Sequence, residues 1–431
     1  MKRGTRISLG AGCILLLLTA WIITVNAQSA GERQLMLISK AVYLMADGIY
    51  ILAVPLLEEA AGYNAAHTLA AESNLKRAYL ALIDNRGFRR RYTALLERQM
   101  GRRNAHSDIF AEAAGYHLNI SNVTEALNIL KTGIERTGCN ILMEMYENNR
   151  YAYTSTRVSF NYVSAIYNGT MQVQSDGLWG IARANGTILI PCMYDKISTF
   201  CNERAIAKKD GDIFAVDRNN NRIALLRHRA ADMGNLSENR ISISIGDIWR
   251  RADGQLVVGS AEFEYIGTYS EGHAAAKTGG RWGVVDRGTN WFVPPVYDAI
   301  KSDELGRSYA QGAVFVVLDG VVYLIVEGRM LGGYEDARPF SSEGYAAVKM
   351  GGQWGFINTR GEVMIDFMFD DALSFGQHLA AVKLDNLWGY IDVNGEVVIE
   401  PVFVEAKSFY GGHAPALTER GWSIITLLEY K

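Results

Sequence analysis

Hydrophobic and polar positions follow three different rhythms along this chain. From Ile7 to Gly31 no residue is charged, and the densest part, Ile14 to Val25, is almost wholly apolar. From Glu32 to about Arg150, apolar residues return at three- and four-residue steps among Ala, Leu, Glu and Arg, the rhythm of amphipathic helices. Within Gly48 to Ala60, for instance, Tyr50, Ala53, Leu57 and Ala60 fall on one face. After residue 165 the pattern becomes short apolar runs broken by Gly, Asn and Asp, which predicts strands and tight turns. These changes divide the chain into residues 1–27, a helical region 32–165 and a β region 166–431.

The β region repeats. Trp-Gly pairs stand at Trp179-Gly180, Trp282-Gly283, Trp354-Gly355 and Trp388-Gly389, and steps of 34 residues lead from Trp354 to Trp388 and on to Trp422. Degenerate copies fit around Ile213, Ile248-Trp249 and Val322-Tyr323, giving about eight units. Lysine stands five residues before the tryptophan position at Lys208, Lys277, Lys349 and Lys383. Each unit reads as a strand such as Ala346–Val348, a turn at Met350–Gly352, and a strand beginning at the tryptophan. A second turn follows, with Asn394-Gly395 a strong hairpin signal, then a third strand such as Glu396–Pro401. The unit closes on an acidic or aromatic segment, as at Tyr194-Asp195 or Tyr297-Asp298.

Four Trp-Gly pairs in register with these lysines closely resemble the WG-repeat family, over residues 176–431. That resemblance implies a repeat module without catalytic residues. The helical region resembles the tetratricopeptide repeat. Its frame at Gly48–Ala60 recurs at Gly87–Leu96, 39 residues on, and at Ser121–Leu130, 34 further, and this family's helices bind peptides or partner proteins. Pro55 departs from the pattern, because proline inside a helix breaks it beyond the first turn. Three or four short strands per unit can close as a propeller or wind as an open β-superhelix. A 34-residue unit is short beside the ~40–45 residues of a four-stranded blade, which points to the superhelix. Residues 151–175 and Ile424–Lys431 would then cap its ends. The expected fold is α+β multidomain.

Charge changes the picture at the N-terminus. Lys2, Arg3 and Arg6 precede the apolar run, and Val25-Asn26-Ala27 offers small residues where signal peptidase cuts. The uncharged stretch also reaches the ~20 residues that span a bilayer. A signal cleaved at Ala27 and a membrane anchor over residues 7–27 both fit, and either places the rest outside the cytoplasm. Cys13 opens the apolar run instead of following it, which argues against a lipoprotein. A net charge of −3, more acidic without the leader, argues against nucleic-acid binding. Cys139, Cys192 and Cys201 form no CxxC pair, and Cys192 and Cys201 are close enough to bridge but read more naturally as free thiols. Arg86, Arg89, Arg90, Arg91, Arg98, Arg102 and Arg103 read as a solvated helix face beside Glu97 and Asp84, with an anionic partner as the alternative.

Candidate chemistry is sparse. His273 and His413 share a repeat column with Arg204, Tyr345 and Leu379, with His378 adjacent, a pattern of either a ligand ring on one rim or a permissive turn edge. Asp217, Asp286, Asn358 and Asp392 recur four residues after the tryptophan position, where they fit hairpin-turn caps better than calcium ligands. Tyr194, Tyr297, Phe369 and Phe403 are candidates for a binding surface or for packing between units. GxSxG, HExxH and phosphate-loop motifs are absent from the sequence. The expectation is a non-catalytic binding or scaffold protein of a bacterial cell envelope, with no cofactor or metal. Its partner would be a protein or peptide, with cell-wall glycan as the alternative.

Overall fold

The computed structural model describes residues 29–227 and 229–429; the expected signal or anchor at 7–27 lies outside them. Among the described residues no helix is long and apolar enough to cross a membrane. The chain divides between Tyr146 and Glu147 into two units. That boundary lies well before residue 165, because residues 153–163 already form strands of the β unit.

The first unit is helical: α1 (29–46), α2 (Tyr50–Gly62), α3 (Thr68–Ala81), α4 (Arg86–Met100), α5 (Ser107–Asn119), α6 (Val123–Thr137) and α7 (Asn140–Glu147). They share one core, in which Ala53, Leu57 and Ala60 are fully buried. Helix α2 runs unbroken through Pro55. The ring lies on the exposed side, where water can satisfy the carbonyl of Ile51 that loses its N–H partner. Gly133 lets α6 pack tightly, since a Cβ there would sit 2.7 Å from Leu142 and 2.8 Å from Phe110.

The arginine cluster is tied to acids other than those nearest in sequence. Arg98 and Arg102 both reach Glu72, which Gln99 also binds at 2.9 Å, and Arg91 reaches Glu58 at 2.9 Å. Glu72 is 1% exposed. Burial pushes its carboxyl up, but the hydrogen bonds from Arg102 and Gln99 and the charges of Arg102 and Arg98 prevail and hold it below its ordinary value. A depressed carboxyl stabilises the fold above its unfolded value, near 4.3, and that contribution is lost as pH falls through the folded value. Helical circular dichroism is therefore expected to fall between about pH 5 and pH 2, with less pH dependence in Glu72→Gln.

The second unit contains eight sheets, one per repeat. Blade 1 is β2 (Tyr162–Val163), β3 (Thr170–Ser175), β4 (Leu178–Arg183) and β5 (Ile188–Tyr194); the later blades follow the same plan, ending in blade 8, except that blade 3 keeps three strands and blade 5 has five. Eight apolar clusters join the blades pairwise. One spans Ile181 and Ile190 of blade 1 with Ala205 and Phe214 of blade 2, and the eighth joins Trp422 and Ile424 of blade 8 to Val163 and Met171 of blade 1. The β unit is an eight-bladed propeller, not the open superhelix that the unit length suggested. A 34-residue unit suffices because its innermost strand has only two residues and its hairpins are tight. The segments expected to cap the two ends instead pair with each other. β1 (Tyr153–Arg157) is the outer strand of blade 8, antiparallel to β32 (Gly421–Leu427) from Tyr153↔Leu427 to Arg157↔Ser423.

The Trp-Gly pair has a specific mechanical cause. In blades 1, 4, 6 and 7, two residues of the tryptophan strand are matched by four of the outer strand: Trp179↔Tyr194 is followed by Ile181↔Ile190, and Trp388↔Phe403 by Tyr390↔Ile399. The resulting bulge presses outer-strand backbone onto the glycine. A Cβ on Gly180, Gly283 or Gly389 would lie 2.5 Å from a carbonyl oxygen, and on Gly355 2.8 Å. The four blades without this glycine depart from the pattern. Opposite Phe214 and Ser423 the outer strand stays in step, and opposite Arg250 only isolated bridges remain. Opposite Tyr323 the bulge is smaller and carries its own glycines, Gly332 and Gly333.

The tryptophans close the interfaces between blades. Trp354, Trp388 and Trp422 are buried, and each packs into the cluster shared with the next blade; Trp179 and Trp282 are half-buried. Lys349, Lys383 and Lys277 lie directly opposite their tryptophans across the hairpin.

Candidate functional site

Contacts between non-neighbouring blades locate the axis of the ring at the two-residue strands. Lys407 of blade 8 pairs with Glu304 of blade 5 at 2.7 Å, and the Tyr167 hydroxyl of blade 1 lies 3.1 Å from Ser237 of blade 3. Around that axis, residues of the innermost strands and the loops after them link blades in series. Lys196 pairs with Asp232, Lys301 with Asp336, and Arg338 with Asp371, each at 2.8 Å. Thr199 donates to the Leu236 carbonyl, Ser374 to that of Pro339 and Ser408 to that of Ser374.

One loop reaches across the axis. Between β17 (Ala299–Ile300) and its partner β19 (Ala313–Leu318), blade 5 carries a longer connection than the other blades, and it includes the extra strand β18 (Tyr309–Ala310). Thr268 and Asn235 both donate to the Leu305 carbonyl, at 2.7 and 3.2 Å. The Arg307 guanidinium lies 5.0 Å over the Tyr167 ring and pairs with Asp303 at 2.7 Å. The loop thus touches blades 1, 3, 4 and 8. Lys407, 8% exposed, anchors it. Burial alone would push Lys407 down, but Glu304 and Glu405 outweigh it and hold its ammonium above the ordinary lysine range. The sequence carried a signal of this insertion, because Trp282 and Trp354 are 72 residues apart, four more than two steps of 34.

The repeated polar columns go into building the ring. Asp217 accepts the backbone N–H groups of Asn219 and Asn221, and Asp286 those of Gly288 and Asn290. Asn358 and Asp392 do the same in their own turns, and so does Asp253, four residues after Trp249 in the degenerate copy. In blades 1 and 4 the acid that closes the unit reaches the hairpin of the next: Asp195 accepts from Asp210 N at 2.9 Å, and Asp298 from Asp319 N at 2.7 Å. Tyr194, Tyr297, Phe369 and Phe403 are between 1% and 8% exposed, so this aromatic column lies between blades and not on a binding surface.

The histidine column occupies the face that carries the connections from first to second and from third to fourth strands. His273 belongs to blade 4 and His413 to blade 8, opposite each other in the ring, so the column does not gather them at one point. His273 packs at a tilt against Phe292 and Tyr309, at 4.4 and 4.2 Å between centroids, while His413 lies 2.8 Å from the Thr426 hydroxyl. Burial pushes His413 below its ordinary value. His378 is exposed, and Tyr345 packs against Phe375. Among the described residues no group of three His, Cys, Asp or Glu side chains is arranged to hold a metal. Cys139, Cys192 and Cys201 are free thiols.

The same column does assemble something on consecutive blades. Arg204 of blade 2 is followed by Arg240 of blade 3, which the sequence reading passed over. Arg240 lies 5.7 Å over the ring of Tyr269, whose hydroxyl burial pushes up to about 12. Arg251 of β12 (Ile248–Asp253) and Arg287 complete a basic arc around Tyr269 and Glu238.

The description of the WG containing repeat matches six segments of this chain: residues 179–211, 253–282, 282–311, 333–354, 354–388 and 388–422. No curated protein sequence matches it. Among solved structures it is similar to the β-propeller domain of Cps50 (Swd1) from Myceliophteria thermophila, at 10% identity and a TM-score of 0.35 over 64% of this chain and 98% of that one. It is similar also to the Neurospora crassa Pan2 WD40 domain, at 10% identity and 0.35 over 63% and 90%. A eukaryotic initiation factor gives 9% identity and 0.40 over 57% and 77%.

Proposed function

We propose that this chain, which carries WG repeats across residues 179–422, is a non-catalytic scaffold that binds protein partners outside the cytoplasm. The observation that carries the reading is how the repeated residues are used. Tryptophans close blade interfaces, glycines admit the outer strand, and the Asp and Asn columns cap turns. What differs from blade to blade is left at the faces, which is how repeat folds present extended surfaces for recognition. The helical unit offers a second surface of this kind. Placement beyond the cytoplasm rests on the basic start and apolar run of residues 2–27.

Capture with the full-length tagged protein, cross-linked in intact cells, is expected to retain specific envelope proteins and to retain none when the β unit is unfolded by a core substitution such as Trp354→Ala. Recovery of cytosolic proteins alone would overturn the placement. A glycan-binding reading has one observation in its favour: the rings of Trp249, Tyr265 and Trp282 pack against one another at tilted angles, 5.2 and 5.4 Å between centroids, while remaining half-buried. Retention on isolated cell wall, lost in Trp249→Ala with folding intact, would favour that reading over a protein partner.

A further inference from the structure

Most arginines of the propeller that make a salt bridge do so with one carboxylate close at hand: Arg218 with Glu203, Arg250 with Glu262, Arg281 with Asp298, Arg329 with Glu327, and Arg360 with Glu362. Arg204, Arg240 and Arg251 are different. All three are half-buried, and the hydrogen bonds that hold their guanidinium groups go to neutral backbone carbonyls. Arg204 donates to Gly254 O at 3.0 Å, Arg240 to Glu238 O at 2.8 Å and Arg251 to Arg287 O at 3.4 Å. Among the described residues, the buried Nε–H of each finds no acceptor. These cations are positioned without being neutralised.

The three belong to one patch. Gly254, which receives Arg204, packs against Asn239, the residue before Arg240. Arg240 and Arg251 both act on the Tyr269 hydroxyl, and Arg251 holds the backbone of Arg287. The acids nearby are already engaged. Glu238 pairs with Arg287 at 3.1 Å and accepts Gly272 N, Asp253 and Asp286 each cap a turn, and Glu271 accepts Gly312 N at 3.5 Å. The result is a fixed set of N–H forks on one face of blades 2 to 4. Guanidinium forks bind planar oxyanions strongly, and two together hold a carboxylate in register.

We propose that Arg204, Arg240 and Arg251, with Arg287 beside them, form a carboxylate-binding site that takes an acidic segment of a partner protein. The site deepens the scaffold reading and rests on it. Two of its members, Arg204 and Arg240, stand in the rim column noted in the sequence, where arginine supplies the chemistry instead of histidine.

The test is fluorescence anisotropy of the full-length protein with a labelled oligoglutamate peptide and an oligoglutamine peptide of the same length, at low and moderate salt. Oligoglutamate is expected to bind more tightly, with affinity falling as salt rises. The Arg240→Gln/Arg251→Gln variant is expected to lose about tenfold or more in affinity, and Arg287→Gln, exposed at the edge, a smaller part. Arg360→Gln on blade 6 is expected to leave binding unchanged. Thermal melts check folding, and if the double variant unfolds, Arg204→Gln and Arg287→Gln are read in its place. Equal binding of the two peptides, or an equal loss in Arg360→Gln, would overturn the proposal. So would displacement of the peptide by inorganic phosphate at concentrations where acetate has no effect, since the site would then serve phosphoryl groups. Failure of the unsubstituted protein to bind oligoglutamate, with partner capture intact, sinks this site alone, whereas failed capture with oligoglutamate still bound sinks the scaffold.

Discussion

Replacing Gly389 by alanine will destabilise the propeller by about 3 kcal/mol, the upper part of the range for forcing an extra methyl into packed structure. The Cβ would meet Ile399 O at 2.5 Å and Pro401 N at 2.7 Å, both backbone atoms of the outer strand, so no side-chain rotation relieves the contact. Relief requires flattening the bulge, which slips the outer strand against Trp388 and withdraws Phe403 from the interface with blade 8. Thermal melts of the purified protein should show a transition lowered by about 6 °C or more. The companion variant is Ser423→Ala, the same column in blade 8, where the outer strand runs in step. It should change stability by less than about 1 kcal/mol. Equal tolerance at both positions would mean that the bulge is not what selects glycine.

Removing β1 will open the ring. A chain beginning at Glu147 keeps Tyr153–Arg157 as the outer strand of blade 8, whereas one beginning at Phe160 leaves the edge of β32 unpaired and deletes Val158, which packs in the cluster between blades 8 and 1. An unpaired edge beside an uncovered apolar interface invites association between chains. The longer chain is expected to be monodisperse by size-exclusion chromatography. The shorter one is expected to melt about 10 °C lower and to aggregate. A synthetic peptide spanning residues 150–159 should restore part of the loss by adding back as a strand. Identical behaviour of the two chains would show that the ring stays closed without this pairing.

The units were legible because each is a local structure. Lysine at minus five, tryptophan and the Asn394-Gly395 turn lie within a few residues of one another, and a side-chain period of two fixes which of them face together. Lys383 does sit opposite Trp388, and Asp392 does close its turn on Asn394 and Glu396. The tyrosine and phenylalanine column was harder to place, since alternation says that Tyr297 faces away from its neighbours without saying whether water or another blade lies there. The arginine arc was only half visible, because Arg240 follows Arg204 by 36 residues and not 34, and no local pattern distinguishes an arginine held by carbonyls from one held by a carboxylate.

The repeat of about eight units, with the hairpins and turn caps inside each, could be read from residue order alone, because hydrophobic period and turn chemistry act over a dozen residues at most. Closure of those units into a ring was decided by the tertiary structure. It depends on Tyr153–Arg157 meeting a strand some 270 residues away, on Lys407 meeting Glu304 across the axis, and on a small angle between blades accumulating to a full turn. Such contacts are chosen by the geometry of the whole assembly, and no spacing within one repeat records them.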